Sequence, residues 1–227
     1  MSKNLFIFFI LIPCLFLTGC WSYREVDSLY IIAGIAIDKD PNADRYDITA
    51  EFVDAKAASG GGSQVEQGLQ SVLLETKGVS IFDAVRKMIK ISAKRPYLAH
   101  ATTIVVGEEA AREGIVPFLD LIAANEEPRL DVDVYVSRGK PAGEILRTKS
   151  FSTEIRSFEL SMIINENKQL VRIPRLKVYE IINQLSIPKF NIVLPVVTSF
   201  FNKGESTNIL SGGAVFKTDR LVGFLEQ

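Results

Sequence analysis

The stretch YIIAGIAIDKDPNADRYDITAEFVD, residues 30–54, decides the fold. Its first nine residues are apolar on both alternating faces, which indicates a strand in the middle of a sheet with both faces covered. Beyond the Pro41-Asn42 turn, apolar and polar residues alternate, which is typical of a strand with one covered face. The apolar positions of this second segment are Tyr46, Ile48, Ala50 and Phe52. The sequence therefore predicts two paired neighbouring strands within a β-sheet.

Amphipathic helices and further strands follow this pair. In GVSIFDAVRKMIKIS, residues 78–92, apolar residues recur at helical spacing, and Ser80 with Asp83 resembles a capping box. AHATTIVVG (99–107) and LDVDVYVSRG (130–139) are strand patterns, and helical patterns follow each of them. The apolar positions of the first helix are Phe82, Val85, Met88 and Ile89. This order of elements predicts an α+β fold, a mixed β-sheet with amphipathic helices packed on it.

Strand patterns return near the end of the chain. NIVLPVVTSF, residues 191–200, leads into turn-rich residues, and residues 209–227 have the pattern of a hairpin whose second arm stops at Gln227. An apolar strand that ends there is either a docked edge strand or part of a polypeptide cut short of its natural end.

The first nineteen residues have the pattern of a signal peptide. Lys3 precedes an apolar run, 5–17, that is too short to span a bilayer, because a spanning helix needs about 20 apolar residues. Leu17-Thr18-Gly19-Cys20 fits the bacterial lipobox, which predicts cleavage between Gly19 and Cys20 and a diacylglyceryl group on Cys20. Two acyl chains hold a protein firmly to a membrane. The alternatives are an ordinary signal peptide with a chance cysteine and an uncleaved anchor.

Composition argues against several classes of function. Lysine and arginine total 26 and aspartate and glutamate total 27, so the near-neutral charge and the lack of a basic stripe predict no nucleic-acid partner. Cys14 leaves with the signal peptide and Cys20 is acylated, so no disulfide is expected. The glycines of residues 58–64 lack the Lys-Ser/Thr pair of a phosphate-binding loop.

Candidate catalytic and metal-binding residues are few. His100 is the only histidine and lies in a strand pattern beside Ala99 and Ala101, so a structural or surface role is favoured over a catalytic one. A zinc site needs several Cys or His ligands, which the processed chain lacks. Asp131 and Asp133 share one side of a strand and have the spacing to bind a hard cation, but their alternation with valines favours a solvated face. Turn chemistry before Pro41 accounts for Asp38 and Asp40. We therefore expect no catalytic, cofactor-binding or metal-binding residues, and a non-enzymatic protein.

Several segments, taken in order, resemble one family. Behind the lipobox come CWSYREVDSLYIIAGIAIDKD, GVSIFDAVRKM, HATTIVVGEEAAREGI, RLDVDVYVSRGKPAGEIL and GGAVFKTDRLVGFLE. Together they look like the Ger(x)C lipoproteins, the C subunits of spore germinant receptors. Trp21, Arg24 and Glu25 fall where that family has its Trp and Arg-Glu after the acylated cysteine, so the resemblance also places the lipid on Cys20.

The resemblance implies a domain order and a function. Residues 1–19 are then the signal peptide, 20–203 the N-terminal α/β domain, and 204–227 the first hairpin of an incomplete, truncated C-terminal domain. The family's members sit on the outer face of the spore inner membrane and assemble with integral membrane A and B subunits in receptors for small germinants. The implied function is a lipid-anchored, non-enzymatic receptor subunit needed for germination; the alternative is a lipid-anchored protein that binds a small solute by itself.

Overall fold

The computed structural model describes residues 29–54, 70–92, 95–123, 129–149, 152–166, 175–187, 191–202 and 204–226. Within these residues a single mixed β-sheet carries helices on both of its faces, which confirms the α+β prediction. The predicted signal peptide, Gly19 and Cys20 lie outside the described residues.

The sheet has nine strands in the order β3-β2-β1-β5-β6-β7-β8-β9, with β4 beside the start of β1. Their bounds are β1 Leu29–Asp40, β2 Arg45–Asp54, β3 Gln70–Gly78, β4 Arg95–Tyr97, β5 Thr103–Val106, β6 Asp133–Ser137, β7 Asn191–Asn202, β8 Glu205–Lys217 and β9 Arg220–Leu225. Strands β1, β5, β6 and β7 run parallel, and antiparallel strands extend the sheet on either side. The predicted pairing of the first two strands is confirmed, since Ile35 lies opposite Ala50 and Ile37 opposite Ile48.

Six helices cover the sheet in the described residues. Their bounds are α1 Ile81–Ile91, α2 Glu108–Glu113, α3 Val116–Ala123, α4 Ala142–Arg147, α5 Arg156–Glu166 and α6 Val178–Leu185. Their positions on the sheet are set by two separate clusters of buried hydrophobic residues. Helices α1, α2, α3 and α6 contribute to the larger cluster on one face of the sheet, and α4 and α5 contribute to the smaller cluster on the other.

Helix α1 begins as predicted but is rotated from the predicted orientation. Ser80 Oγ accepts a hydrogen bond from the Asp83 amide at 3.1 Å, which confirms the cap. The prediction that Phe82 and Ile89 face the sheet is wrong, because 51% and 49% of their surfaces are exposed. Ile81, Ala84 and Met88 are the buried residues instead. Successive helical residues are about 100° apart around the helix axis. The stripe that faces the sheet therefore begins at Ile81, one residue before the predicted position at Phe82.

Most of the polar face of β2 is also buried, contrary to the prediction of a half-covered strand. Thr49 is 3% exposed and Glu51 is fully buried. The reason is that α4 and α5, which come about a hundred residues later, cover this face of the sheet.

The C-terminal hairpin forms as predicted. Strand β9 pairs with β8, and β8 pairs along most of its length with β7, so both strands extend the same sheet as β1 to β7. The assignment of residues 204–227 to the beginning of a second domain stays a prediction.

Candidate functional site

A cleft of about 470 Å³ opens at the carboxyl ends of β1, β5 and β6. The connections of the sheet explain its position. The chain leaves β5 into α2 on one face and leaves β6 into α4 on the other face. Where neighbouring parallel strands send their helices to opposite faces, a crevice forms outside the strand ends, and α/β proteins bind ligands there. The cleft is therefore the candidate functional site.

Asp38, at the carboxyl end of β1, holds the wall of the cleft in place. Its carboxylate oxygens accept hydrogen bonds from the backbone amides of Ala142 and Gly143 at 2.7 and 2.8 Å, so it caps the first turn of α4. Gly107 allows the close packing, because a Cβ there would stand 2.2 Å from Asp38 Oδ1. Burial raises the pKa of the Asp38 carboxyl, and the two amide hydrogen bonds offset only part of that rise.

The sequence interpretation was therefore wrong for Asp38 and is confirmed for Asp40. Asp40 makes the expected turn, since its Oδ1 accepts a hydrogen bond from the Asn42 amide at 2.9 Å and its Oδ2 lies 3.1 Å from Arg45. Asp38 instead contacts a helix that begins 104 residues further along the chain, and turn chemistry does not describe its role.

Asp47 lies directly opposite Asp38 in the pairing of β1 with β2. Like charges at directly opposite positions destabilise a sheet. Lys77 lies 2.8 Å from Asp47 Oδ2, but Oδ1 of the same carboxylate is buried and has no hydrogen-bond partner in the described residues. Thr49 lines the cleft two residues further along the same face. The floor of the cleft thus contains two facing carboxylates, one of them with an unpaired oxygen.

Carboxylates outnumber cations by four in the lining of the cleft. Lys39 pairs with Asp44 and Glu113, which lie outside the lining, and Arg147 pairs with Glu75. The acidic lining residues are Asp38, Asp40, Asp47, Glu75, Glu108, Glu109 and Glu144, and the basic ones are Lys39, Lys140 and Arg147. Cations outside the lining pair with three of these carboxylates: Arg45 with Asp40, Lys77 with Asp47 and Arg112 with Glu108.

Two further buried carboxylates hold α5 against the same face of the sheet. Glu51 accepts hydrogen bonds from the amides of Arg156 and Ser157 at 2.9 and 2.8 Å and from the Ser157 hydroxyl at 2.6 Å. Asp133 accepts a hydrogen bond from Ser161 at 3.0 Å and pairs with Arg175, whose Nη2 lies 2.6 Å from Asp133 Oδ2. Both carboxylates have hydrogen-bond or ion-pair partners, so their role is to hold α5 in position on the sheet.

The other candidates from the sequence do not converge. Asp133 is 2% exposed, so the prediction of a solvated face is wrong for it, while Asp131 is exposed and pairs with Lys177. His100 is exposed and packs edge-on against Tyr97 at a ring distance of 6.0 Å. None of these three candidates lines the cleft. Across the described part of the chain, no group of three or more His, Cys, Asp or Glu side chains is arranged to hold a metal ion.

Sequence comparison shows the family. A model described as "Spore germination protein N-terminal domain" matches residues 22–199. The chain belongs to the spore germination protein family. The family resemblance in the sequence is thereby confirmed. No solved structure matches the chain.

Three relatives of this spore germination protein come from Bacillus subtilis (strain 168). "Putative spore germination protein YfkR" is 28% identical over 217 residues, which cover 93% of this chain and 55% of the relative. "Spore germination protein KC" is 25% identical over 236 residues, covering 98% and 56%, and "Spore germination protein YndF" is 27% identical over 235 residues, covering 92% and 56%. The chain spans little more than half the length of these relatives. Among the helices of the described residues, none has both the length and the apolar character needed to cross a bilayer.

Proposed function

We propose that this spore germination protein is a lipid-anchored, non-enzymatic subunit of a spore nutrient germinant receptor. The observation that carries the proposal is the family match over residues 22–199, together with the relative named "Spore germination protein KC", which aligns with 98% of the chain. The proposed partners are membrane lipid, through acylated Cys20, and the integral membrane A and B subunits of the receptor. The proposed location is the outer face of the spore inner membrane.

The position of β1 supports an orientation for the anchored protein. Leu29 begins β1 nine residues after Cys20, so the start of the sheet lies within about 32 Å of the lipid, at no more than ~3.5 Å per residue. The cleft lies at the other end of β1, and eight residues of strand from Tyr30 to Asp38 add about 26 Å. An anchored molecule thus has the acidic cleft at the end of β1 opposite to the tether.

The anchor is tested by labelling cells with radioactive palmitate. We expect the wild-type protein and a Cys14→Ala variant to carry label, because Cys14 lies in the predicted signal peptide, and a Cys20→Ala variant to carry none. Label on the Cys20→Ala protein would contradict acylation at this residue, whatever the role of the protein in germination.

The receptor role is tested by deleting the gene and measuring spore germination with each nutrient germinant. We expect at least one nutrient response to be lost, and the tagged protein to copurify with integral membrane A and B subunits. Unchanged germination with every nutrient, in a strain without a paralogue, would refute the receptor role.

A second candidate function is a stand-alone, lipid-anchored protein that binds a small solute. The cleft favours it, because 470 Å³ is within the range of small-molecule sites, about 300–1,000 Å³. This candidate predicts normal germination after deletion and a solute that raises the melting temperature of the purified protein by mass action.

A further inference from the structure

An apolar groove of about 340 Å³ lies at the amino end of β1, at the end of the sheet opposite to the cleft. We propose that this groove is a docking surface for an anionic phospholipid bilayer, with Val72 and Ile91 in contact with the acyl chains and Lys90 beside the lipid phosphates. The inference deepens the proposed function and rests on it, because it assumes the lipid anchor at Cys20. It adds a membrane contact made by the folded part of the chain.

The lining of the groove is apolar. Among its described residues the side chains of Tyr30 and Ser92 carry the only polar atoms, and none of the lining side chains is charged. Val72 and Ile91 are 54% and 63% exposed. The other lining residues are Phe52, Val53, Leu73 and Leu74. An exposed apolar surface of this kind marks a contact with a partner or with a membrane.

The groove exists because α1 ends before the strand beneath it does. The Thr76 hydroxyl donates a hydrogen bond to the Ala84 carbonyl at 2.9 Å, which fixes the helix over β3. From Ala84 the helix continues for seven residues to Ile91, or about 10 Å at ~1.5 Å per residue. From Thr76 back to its beginning at Gln70, β3 extends over six residues, or about 20 Å at ~3.3 Å per residue. The first residues of β3 therefore lie beyond the cover of α1.

The predicted tether enters the fold beside the groove. Tyr30, which lines the groove, is the second residue of β1. Phe52 and Val72 lie opposite each other in the neighbouring strands β2 and β3. Nine residues separate Cys20 from Leu29, and they span at most about 32 Å. The proposed anchor thus holds the end of the sheet that carries the groove close to the bilayer.

The charges beside the groove complement an anionic surface. Lys90 and Arg86 are exposed in the last two turns of α1, and neither forms an ion pair with another described residue. Lys87 pairs with Asp83, so the helix has two uncompensated positive charges. Anionic lipid headgroups attract lysine and arginine side chains. A helix that presents basic and apolar residues together is typical of contacts with a membrane surface.

A bilayer fits this surface better than a second copy of the chain does. A symmetric contact between two grooves would bring the uncompensated cations of both copies close together, and like charges repel each other. The proposed tether also directs the groove of every copy toward the same bilayer, and not toward the groove of a neighbour.

The test measures the depth of a single fluorescent label in vesicles. The acylated chain is purified from membranes in detergent and reconstituted with equimolar phosphatidylcholine and phosphatidylglycerol, and part of the phosphatidylcholine carries a nitroxide on its acyl chain. A maleimide dye is attached to the Ile91→Cys protein or to the Phe201→Cys protein. Phe201 is a matched control, because it is 71% exposed and lies near the carboxyl end of β7, which runs parallel to β1 through the intervening strands. We expect the nitroxide to quench the dye at position 91 and not the dye at position 201.

The wild-type protein separates this test from the test of the anchor. An acylated Cys20 has no free thiol and Cys14 lies in the predicted signal peptide, so the wild-type protein is expected to take up no dye. Dye on the wild-type protein would contradict the anchor. Quenching is then measured with both cysteines replaced by alanine, so the groove is tested in either case.

Matched variants identify the contacts. Val72→Asp is expected to abolish most of the quenching at position 91, because it places a carboxylate against the acyl chains. Val79→Asp makes the same replacement at a residue that is 78% exposed just beyond the other end of β3, and it is expected to leave the quenching unchanged. Lys90→Glu, at an exposed position, is expected to lower the quenching and replaces Val72→Asp if that protein does not fold. Vesicles of phosphatidylcholine alone are expected to give weaker quenching, because they lack anionic headgroups.

Four results would overturn the proposal. These are no quenching at position 91, equal quenching at positions 91 and 201, unchanged quenching in both Val72→Asp and Lys90→Glu, and equal quenching with and without phosphatidylglycerol. Self-quenching between dyes at position 91, in place of quenching by the nitroxide, would also refute it and would assign the groove to a second copy of the chain. None of these results bears on palmitate labelling of Cys20 or on germination, so failure here is distinct from failure of the proposed function.

Discussion

The replacement of Glu51 by glutamine tests the finding that the polar face of β2 is buried. The Glu51 carboxylate is fully buried and accepts three hydrogen bonds at the first turn of α5. Oε2 accepts two of them, from the amide and hydroxyl of Ser157, and Oε1 accepts one from the Arg156 amide. The charge also interacts favourably with the positive end of the helix dipole.

The expected magnitude follows from these contacts. In Glu51→Gln the amide oxygen keeps the two bonds to Ser157, and the new NH₂ group faces the N–H of Arg156, so one bond to a charged acceptor is lost and a buried donor is left unpaired. Hydrogen bonds to charged groups contribute about 1.5–3 kcal/mol, and an unsatisfied buried group costs about 1–3 kcal/mol. We expect a loss of about 2–4 kcal/mol of unfolding free energy, a large part of a typical total of about 5–15 kcal/mol.

The assay is urea unfolding followed by far-ultraviolet circular dichroism, with the slope of the transition compared between proteins. Glu109→Gln is the matched control, because Glu109 is an exposed glutamate in the first turn of another helix, α2. It is expected to change stability by no more than about 0.5 kcal/mol. A Glu51→Gln protein as stable as the control would refute the argument that Glu51 holds α5 on the sheet.

Three further predictions follow from close contacts elsewhere. Gly34→Ala would place a Cβ 2.0 Å from Ser157 Oγ; it is expected to cost about 3 kcal/mol in urea unfolding, and an unchanged transition midpoint would contradict the packing. Asp133→Asn is expected to cost about 3–5 kcal/mol, because it leaves the guanidinium of Arg175 without its buried charge partner; a double-mutant cycle with Arg175→Met that shows no coupling would contradict this. The folded-state pKa of Asp38 is raised above its unfolded value of about 3.9. Between these two pKa values the folded state binds more protons than the unfolded state, so the unfolding free energy falls as pH rises through this range. Asp38→Asn is expected to gain stability relative to wild type over the same range, and a constant difference in unfolding free energy from pH 3.5 upward would refute the raised pKa.

The sequence predicted the elements well where the signal is local. The apolar run at the start of residues 30–54 indicated a covered central strand, and β1 has that position. The spacing of Ser80 and Asp83 located the beginning of α1, because the capping hydrogen bond joins residues three apart. The hairpin of β8 and β9 likewise depends on neighbouring residues.

The sequence failed where coverage depends on distant residues. Alternation along β2 reports which side chains are polar, but it does not report whether this face meets solvent. Glu51 and Ser157 are 106 positions apart. No local sequence pattern predicts that the N-terminus of a distant helix will donate hydrogen bonds to the Glu51 carboxylate. The assignment of Asp38 to turn chemistry was wrong for the same reason, since its partners lie 104 and 105 residues further along the chain. One signal was available, since acidic residues stood at the end of a buried strand, where α/β folds place their ligand sites.

The carboxylates on this face divide into two groups with different consequences. Asp38, Glu51 and Asp133 are engaged by backbone amides, hydroxyls or an arginine from α4, α5 and the segment before α6, so they hold α4 and α5 on the sheet. Asp47 receives no such contact at Oδ1, and Glu144 is exposed at the rim. Changes in the first group should therefore lower the unfolding free energy, whereas a change at exposed Glu144 should leave it nearly unchanged. Asp47 lies between these two cases, because Lys77 pairs with its Oδ2 while its Oδ1 is buried and has no partner in the described residues.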